Sequence, residues 1–305
     1  VPCTHAAVAI PGWIGRHAVA WTRRSAAANV RASRTPRTNQ EEVMTALRAL
    51  AATAALLVCA SVATAAVQTK EIEYTQDGTT LQGYLAWNDA FPGKQPGVIV
   101  VHEWWGHNAH ARHSAEKLAA AGYVAFALDM YGKGKVTTHP ADAQAFMQEA
   151  MKDPAVVAAR FHAARAQLLM DPHVDPTRIG AIGYCMGGGV VLGMARAGED
   201  LKAVATFHGV LATDRPAEKG KIKPRLLIMT GAADPMVDKS QVAAFEKEMK
   251  AAGAKYQVIT YPGAKHGFTN PDADKAGMAA LAYNADAANK SWDAMLKMFK
   301  ETLKP

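Results

Sequence analysis

Cysteine is scarce in this chain: three in 305 residues, at positions 3, 59 and 185. Two of them fall in an amino-terminal stretch unlike the rest, which leaves Cys185 alone in the globular part. A lone cysteine has no internal disulfide partner, so it is either a buried structural thiol or a reactive one. Long apolar runs are scarce too. The one candidate, residues 49–60, is too short for a confident membrane span. Residues 67–305 contain no internal repeat and no linker that would split them, so one domain is expected. A basic excess is also missing there. Residues 1–65 hold seven Lys or Arg and two Asp or Glu, so the formal charge of +7 drops to +2 beyond them. The high pI is therefore no argument for nucleic acid as a partner.

The amino-terminal stretch reads as processing sequence. Residues 1–43 are rich in Arg, Ala, Ser and Thr and lack apolar periodicity, as expected of a non-native or disordered leader. A secretory pattern starts at Met44, with Arg48 as its charged region and residues 49–60 as its apolar one. Ala63-Thr64-Ala65 then supplies an A-x-A cleavage site. Residues 44–65 are expected to be a signal peptide, residues 66–305 the mature domain, and the location periplasmic or secreted. A lipid anchor at Cys59 is disfavoured by bulky Val58. Arg23-Arg24 lacks the closely following apolar stretch of a twin-arginine signal. No stable membrane anchor is expected.

From Val67 onward, apolar strands alternate with helical segments, the pattern of an α/β fold with a mostly parallel central sheet flanked by helices. Residues 71–74 and 80–86 read as an antiparallel hairpin around Asp77-Gly78. Further strands are expected at 97–101, 123–128, 178–182, 203–207, 225–229 and 256–260. Helices are expected near 110–121, 141–151, 154–169, 188–197, 239–251 and 276–303.

The most informative segment is Gly183-Tyr184-Cys185-Met186-Gly187, a G-x-C-x-G elbow between a short strand and a helix. That context strains the nucleophile and lifts it above the sheet, and the flanking glycines remove the clashes such a turn would cause. Ligands of open α/β sheets gather at the carboxyl ends of the strands. Two further strand ends carry what a thiol nucleophile needs: Asp234 in Gly231-Ala-Ala-Asp-Pro, and His266 in Pro262-Gly-Ala-Lys-His-Gly-Phe. The order Cys185, Asp234, His266 is that of α/β-hydrolases. His266 would take the thiol proton and return it to the leaving alkoxide, while Asp234 would fix its tautomer. Asp238, four residues on and near a helix start, is the rival acid. The oxyanion hole is expected from the backbone amides of Met186 and Trp104.

The loop His102-Glu103-Trp104-Trp105-Gly106 adds a carboxylate directly after a buried strand, a costly place unless it is paired. His102 is open to a structural or a functional role. His102 and Glu103 begin a near-match to H-E-x-x-H, but the next histidine is five residues on instead of four and lies in a loop, so no metal site is expected. His110 and His113, at i,i+3 spacing, read as a solvated helix face.

Together, His102-Glu103-x-x-Gly106-x-Asn108, the Cys185 elbow, Gly231-x-x-Asp234 and Gly263-x-x-His266-Gly-Phe268 resemble the dienelactone hydrolase (carboxymethylenebutenolidase) family. The resemblance covers nearly all of residues 70–300. It implies an α/β-hydrolase fold, a Cys185–His266–Asp234 triad, and a role for Glu103 in contacting and activating the resting thiol. It also places two substrate-carboxylate contacts, arginines in the dienelactone-active members, at Lys133 and Asn270. Lys133 lacks the guanidinium fork and Asn270 is neutral.

The expected activity is cysteine-dependent hydrolysis of a small-molecule lactone or carboxylic ester through a thioester, with no cofactor. Trp104, Trp105 and Phe268 are expected as aromatic pocket walls. The protein would work as a monomer or small homo-oligomer. The rivals are a thioesterase or peptidase on the same scaffold, and a non-catalytic ligand-binding protein of hydrolase fold.

Overall fold

The computed structural model describes residues 67–304. The expected leader (1–43) and signal peptide (44–65) lie outside the described residues. The chain opens with a hairpin, β1 (Val67–Gln76) and β2 (Thr79–Asn88), turned by Asp77 and Gly78 at φ 45° and 74°. Two successive positive φ values make the tight turn that suits the twist of paired strands. The hairpin is longer than its alternation suggested, because β1 is an exposed edge strand whose polar residues carry no inward pattern.

The remaining strands are β3 (Gln95–Val101), β4 (Val124–Leu128), β5 (Val174–Tyr184), β6 (Ala203–Phe207), β7 (Arg225–Gly231) and β8 (Tyr256–Tyr261). They form one eight-stranded sheet in the order β1-β2-β4-β3-β5-β6-β7-β8. β1–β2 and β2–β4 are antiparallel, and every other pairing is parallel. β3 lies between β4 and β5, so the chain leaves it in opposite directions across the sheet. That switch point opens a crevice at the strands' carboxyl ends.

Among the described residues, six helices cover the sheet: α1 (Ala109–Ala120), α2 (Pro140–Met151), α3 (Pro154–Leu169), α4 (Met186–Arg196), α5 (Lys239–Ala252) and α6 (Ala285–Thr302). Strand periodicity sorts the core onto two faces. Ile99, Val101, Phe126 and Leu128 pack with Phe161 of α3, Val190 of α4 and Phe245 of α5. Val98 and Val100 turn the other way, toward Leu118 of α1 and Phe299 of α6. Phe161 and Phe299 are fully buried, each worth about 2 kcal/mol in apolar area removed from water. No helix among the described residues is long and apolar enough to cross a membrane.

One expected element is corrected. The helix foreseen over 276–303 starts only at Ala285, where the Asn284 side chain accepts from the Ala287 amide. A short 3₁₀ turn, Ala273–Ala276, ends instead at Gly277 with φ 64°. The residues between give up helix to brace the histidine loop: Ala282 N–H donates to His266 O, and Asn284 N–H to Phe268 O.

Candidate active site

Cys185 closes β5 and precedes α4 at φ 50° and ψ −117°, a left-handed conformation that costs a non-glycine residue about 1–3 kcal/mol. Close packing holds it there. A Cβ on Gly183 would lie 2.1 Å from Gly187 O, and one on Gly187 would lie 2.4 Å from Val101 O. Only glycine permits these approaches, which press the start of α4 against the end of β3. Neither Met186 N–H, at the free end of α4, nor Trp104 N–H, in the β3–α1 loop, makes a backbone hydrogen bond among the described residues.

The acid and the histidine come from adjacent loops that are laced together. Ala232 N–H donates to Tyr261 O at 2.8 Å, and Ala233 N–H to Ala264 O at 3.0 Å. Asp234 Oδ2 accepts from His266 Nδ1 at 2.9 Å, while Oδ1 accepts the Met236 and Val237 amides at 2.8 and 3.2 Å. These donors make Asp234 a fixed acceptor, so the proton of neutral His266 sits on Nδ1 and the Nε2 lone pair is free. Asp238 is instead the cap of α5, accepting from Gln241 N–H at 2.9 Å.

Burial of His266 disfavours its charged form. The charge of Cys185 and the hydrogen bond to Asp234 outweigh that, and the imidazole is pushed up to about 10. By strict geometry Nε2 has no hydrogen-bond partner, whereas its raised proton affinity includes a contact with the Cys185 sulfur. The approach of Nε2 to the sulfur is thus looser than a formed hydrogen bond, as is common before substrate binds.

Glu103 is buried beside this group, but it does not hydrogen-bond the thiol, contrary to the expected resting contact. Its Oε2 accepts from Asn270 Nδ2 at 2.6 Å. His110 Nδ1 lies 3.9 Å from one carboxylate oxygen and His208 Nε2 lies 4.0 Å from the other. Asn270 is likewise corrected. Its amide is buried, with Nδ2 donating to Glu103 Oε2 and Oδ1 accepting from Asp272 N–H, so both of its polar atoms are engaged within the protein. Lys133 turns its ammonium to Glu73 on β1, and the structure does not bring it to the triad.

Three further expectations change. Phe268 is fully buried against Tyr261 and His208 and belongs to the core instead of a pocket wall. Trp105 is also buried, packed with Leu281 and Ala273, while its neighbour Trp104 keeps partial exposure. His110 is no solvated face: its ring lies on Tyr184 at 4.6 Å and its Nε2 reaches Thr269 O at 3.2 Å. His113 is solvated as expected. His102 is structural. Its Nε2 accepts from Met130 N–H at 3.1 Å and its Nδ1 donates to Glu103 O, tying the loop after β3 to the loop after β4.

Two groups at the site escaped the sequence reading. Tyr131 Oη donates to Trp104 O at 3.1 Å and lies 3.2 Å from Met186 Sδ, so one phenol spans both oxyanion segments. Burial first, and the charge of Cys185 second, hold that phenol above its ordinary range. His208, just past β6, has φ 42° and stacks edge-to-face with His266 at 5.1 Å. Burial and its histidine neighbours hold His208 well below the usual imidazole range, and burial lowers His110 as well. His266 is therefore the one imidazole of the three that is set to take a proton. Position after a strand end was the signal available for both residues.

Comparison with known proteins shows the family. The model of the dienelactone hydrolase family matches residues 81–303. Protein usf of Aquifex pyrophilus is 28% identical over 237 residues, covering 76% of this chain and 98% of the relative. Among solved structures, a dienelactone hydrolase-like promiscuous phosphotriesterase from metagenomic libraries is 34% identical with a TM-score of 0.73. The match covers 78% of this chain and 99% of that one. A structure titled m3DLH is 38% identical, with the same TM-score and coverage.

Proposed function

The chain belongs to the dienelactone hydrolase family, hydrolases of carboxylic ester bonds, and from that premise we propose that Cys185, His266 and Asp234 hydrolyse a small lactone or ester through a thioester. The observation that carries this reading is the Asp234–His266 hydrogen bond of 2.9 Å, which leaves a free Nε2 beside a strained cysteine. With its proton already lodged on His266 Nε2, Cys185 Sγ bonds to the carbonyl carbon. The carbonyl oxygen becomes an oxyanion held by the Met186 and Trp104 amides. Collapse breaks the ester C–O bond, and the alkoxide leaves with the proton from His266. In a lactone that hydroxyl stays tethered to the acyl group. Water then attacks the thioester, His266 takes its proton, and the carboxylic acid departs as the thiol is restored. Every step is carried by groups of this chain and by water. The secretory pattern of residues 44–65 supports action outside the cytoplasm.

Neutral substrates fit the site better than a dienelactone carboxylate, because Lys133 is paired with Glu73 and Asn270 is held by Glu103. A neutral aryl ester is expected to show kcat/KM at least about tenfold above that of a dienelactone, the equivalent of one unmade charge contact. Steady-state rates on both compounds check this. A strong preference for the dienelactone would overturn the neutral-substrate reading. Turnover confined to thioesters or peptides would favour the rival hydrolases.

A further inference from the structure

Along one face of α4 runs a groove of about 980 Å³ that the triad chemistry does not use. Its size is that of a small-molecule site. Gly189 and Gly193, one helical turn apart, form its floor, and a Cβ on Gly193 would meet nothing within 4 Å. A glycine inside a helix costs about 1 kcal/mol against alanine, and here no close packing requires it. The connection from β6 to β7 contains no helix to cover this face. Met147, Met151 and Met194, unbranched side chains that adapt to guests of varying shape, line it together with the charged residues Lys152, Arg196, Asp214, Arg215, Glu218 and Lys221.

One end of the groove lies one residue along the chain from Cys185. Met186, the residue after Cys185, lines one end, beside Val210, whose amide donates to Cys185 O at 3.1 Å. Val210 is also exposed, as are Val136, Met236 and Tyr283 in other connections that follow strands, with Phe91 and Met170 exposed elsewhere. The eleven residues of α4 span about 16 Å, the reach of a medium-length alkyl chain.

We infer that this groove holds the linear, apolar acyl chain of an ester substrate, and that Gly193 sets how long a chain it accepts. The inference rests on the ester-hydrolase reading and narrows its substrate class. A trough floored by glycines and lined in part by methionines suits a thin flexible chain. Met186, at the junction with the elbow, is buried and lies between the groove and Cys185 along the chain.

The test compares aryl acetate and aryl decanoate on the parent enzyme and on Gly193→Leu, with Gly193→Ala as a folding control. The leucine is expected to raise KM for the decanoate about tenfold or more and to leave kcat/KM for the acetate within about twofold, as burial of a few methylenes requires. An unchanged decanoate-to-acetate ratio in Gly193→Leu would overturn the assignment. Calorimetry with sodium decanoate on the Cys185→Ala protein, with and without Gly193→Leu, gives a readout free of catalysis. Binding lost on adding the leucine supports the groove, even if neither ester is hydrolysed and the hydrolase reading fails. Equal binding by both proteins rules the groove out, whatever the turnover.

Discussion

Cys185→Ala is expected to lower kcat/KM for a neutral aryl ester by about 10⁴-fold or more, as loss of the nucleophile does in other triad enzymes. The substitution removes the sulfur that would carry the acyl group and leaves the fold in place. Cys185 is partly exposed, and its φ of 50° is fixed by glycine packing on both sides of the elbow and not by the thiol. Circular dichroism and denaturation should therefore match the parent. Residual hydrolysis would come from the Met186 and Trp104 amides alone. Parent-like turnover by the alanine protein would mean that another residue attacks the substrate.

The second large effect is at Asp234. Asp234→Asn keeps the shape, but its amide donates where the carboxylate accepted from His266 Nδ1. The imidazole is then held in the wrong tautomer, with Nε2 protonated and useless as a base. A loss of about 10³–10⁴ in kcat is expected, with little change in KM. The same change alters stability against pH. His266 is raised from its ordinary 6.5 to about 10 in the folded protein. Its contribution to stability is fully present below about 6.5 and is lost as pH rises through about 10. Asp234→Asn removes one cause of that rise, so urea unfolding should show a shallower fall in stability from neutral pH to pH 10 than the parent shows. A variant within tenfold of the parent in kcat, with the parent's alkaline slope, would remove Asp234 from the triad.

The proposed triad positions stood out because each follows an apolar strand and is marked by glycine or proline at fixed offsets. Asp234 and Asp238 were separable by the same logic, one ending a strand and one opening α5. Pairings across the chain were not legible. Glu103 and Asn270 are 167 residues apart and meet only because β3 lies near the centre of the sheet and the His266 loop folds over it. His110 shares i,i+3 spacing with His113, and periodicity among so many alanines does not say which of the two turns inward. His208 carries no motif, only its place after Phe207. The foreseen start of the last helix failed because tertiary bonds from Ala282 and Asn284 to the histidine loop outweigh local helix preference. The carboxylate contacts carried over to Lys133 and Asn270 could not be weighed locally for a related reason: their partners, Glu73 on β1 and Glu103 in the loop after β3, are far away in sequence.

The central claim is covalent catalysis by Cys185. It is tested most directly by quenching the enzyme during turnover of an aryl ester with a slowly hydrolysed acyl group, then measuring intact mass and peptide fragments. The account predicts one acyl adduct, located on Cys185, that builds up in Asp234→Asn and is absent from Cys185→Ala. An adduct on any other residue, or steady turnover by the alanine protein, would contradict it.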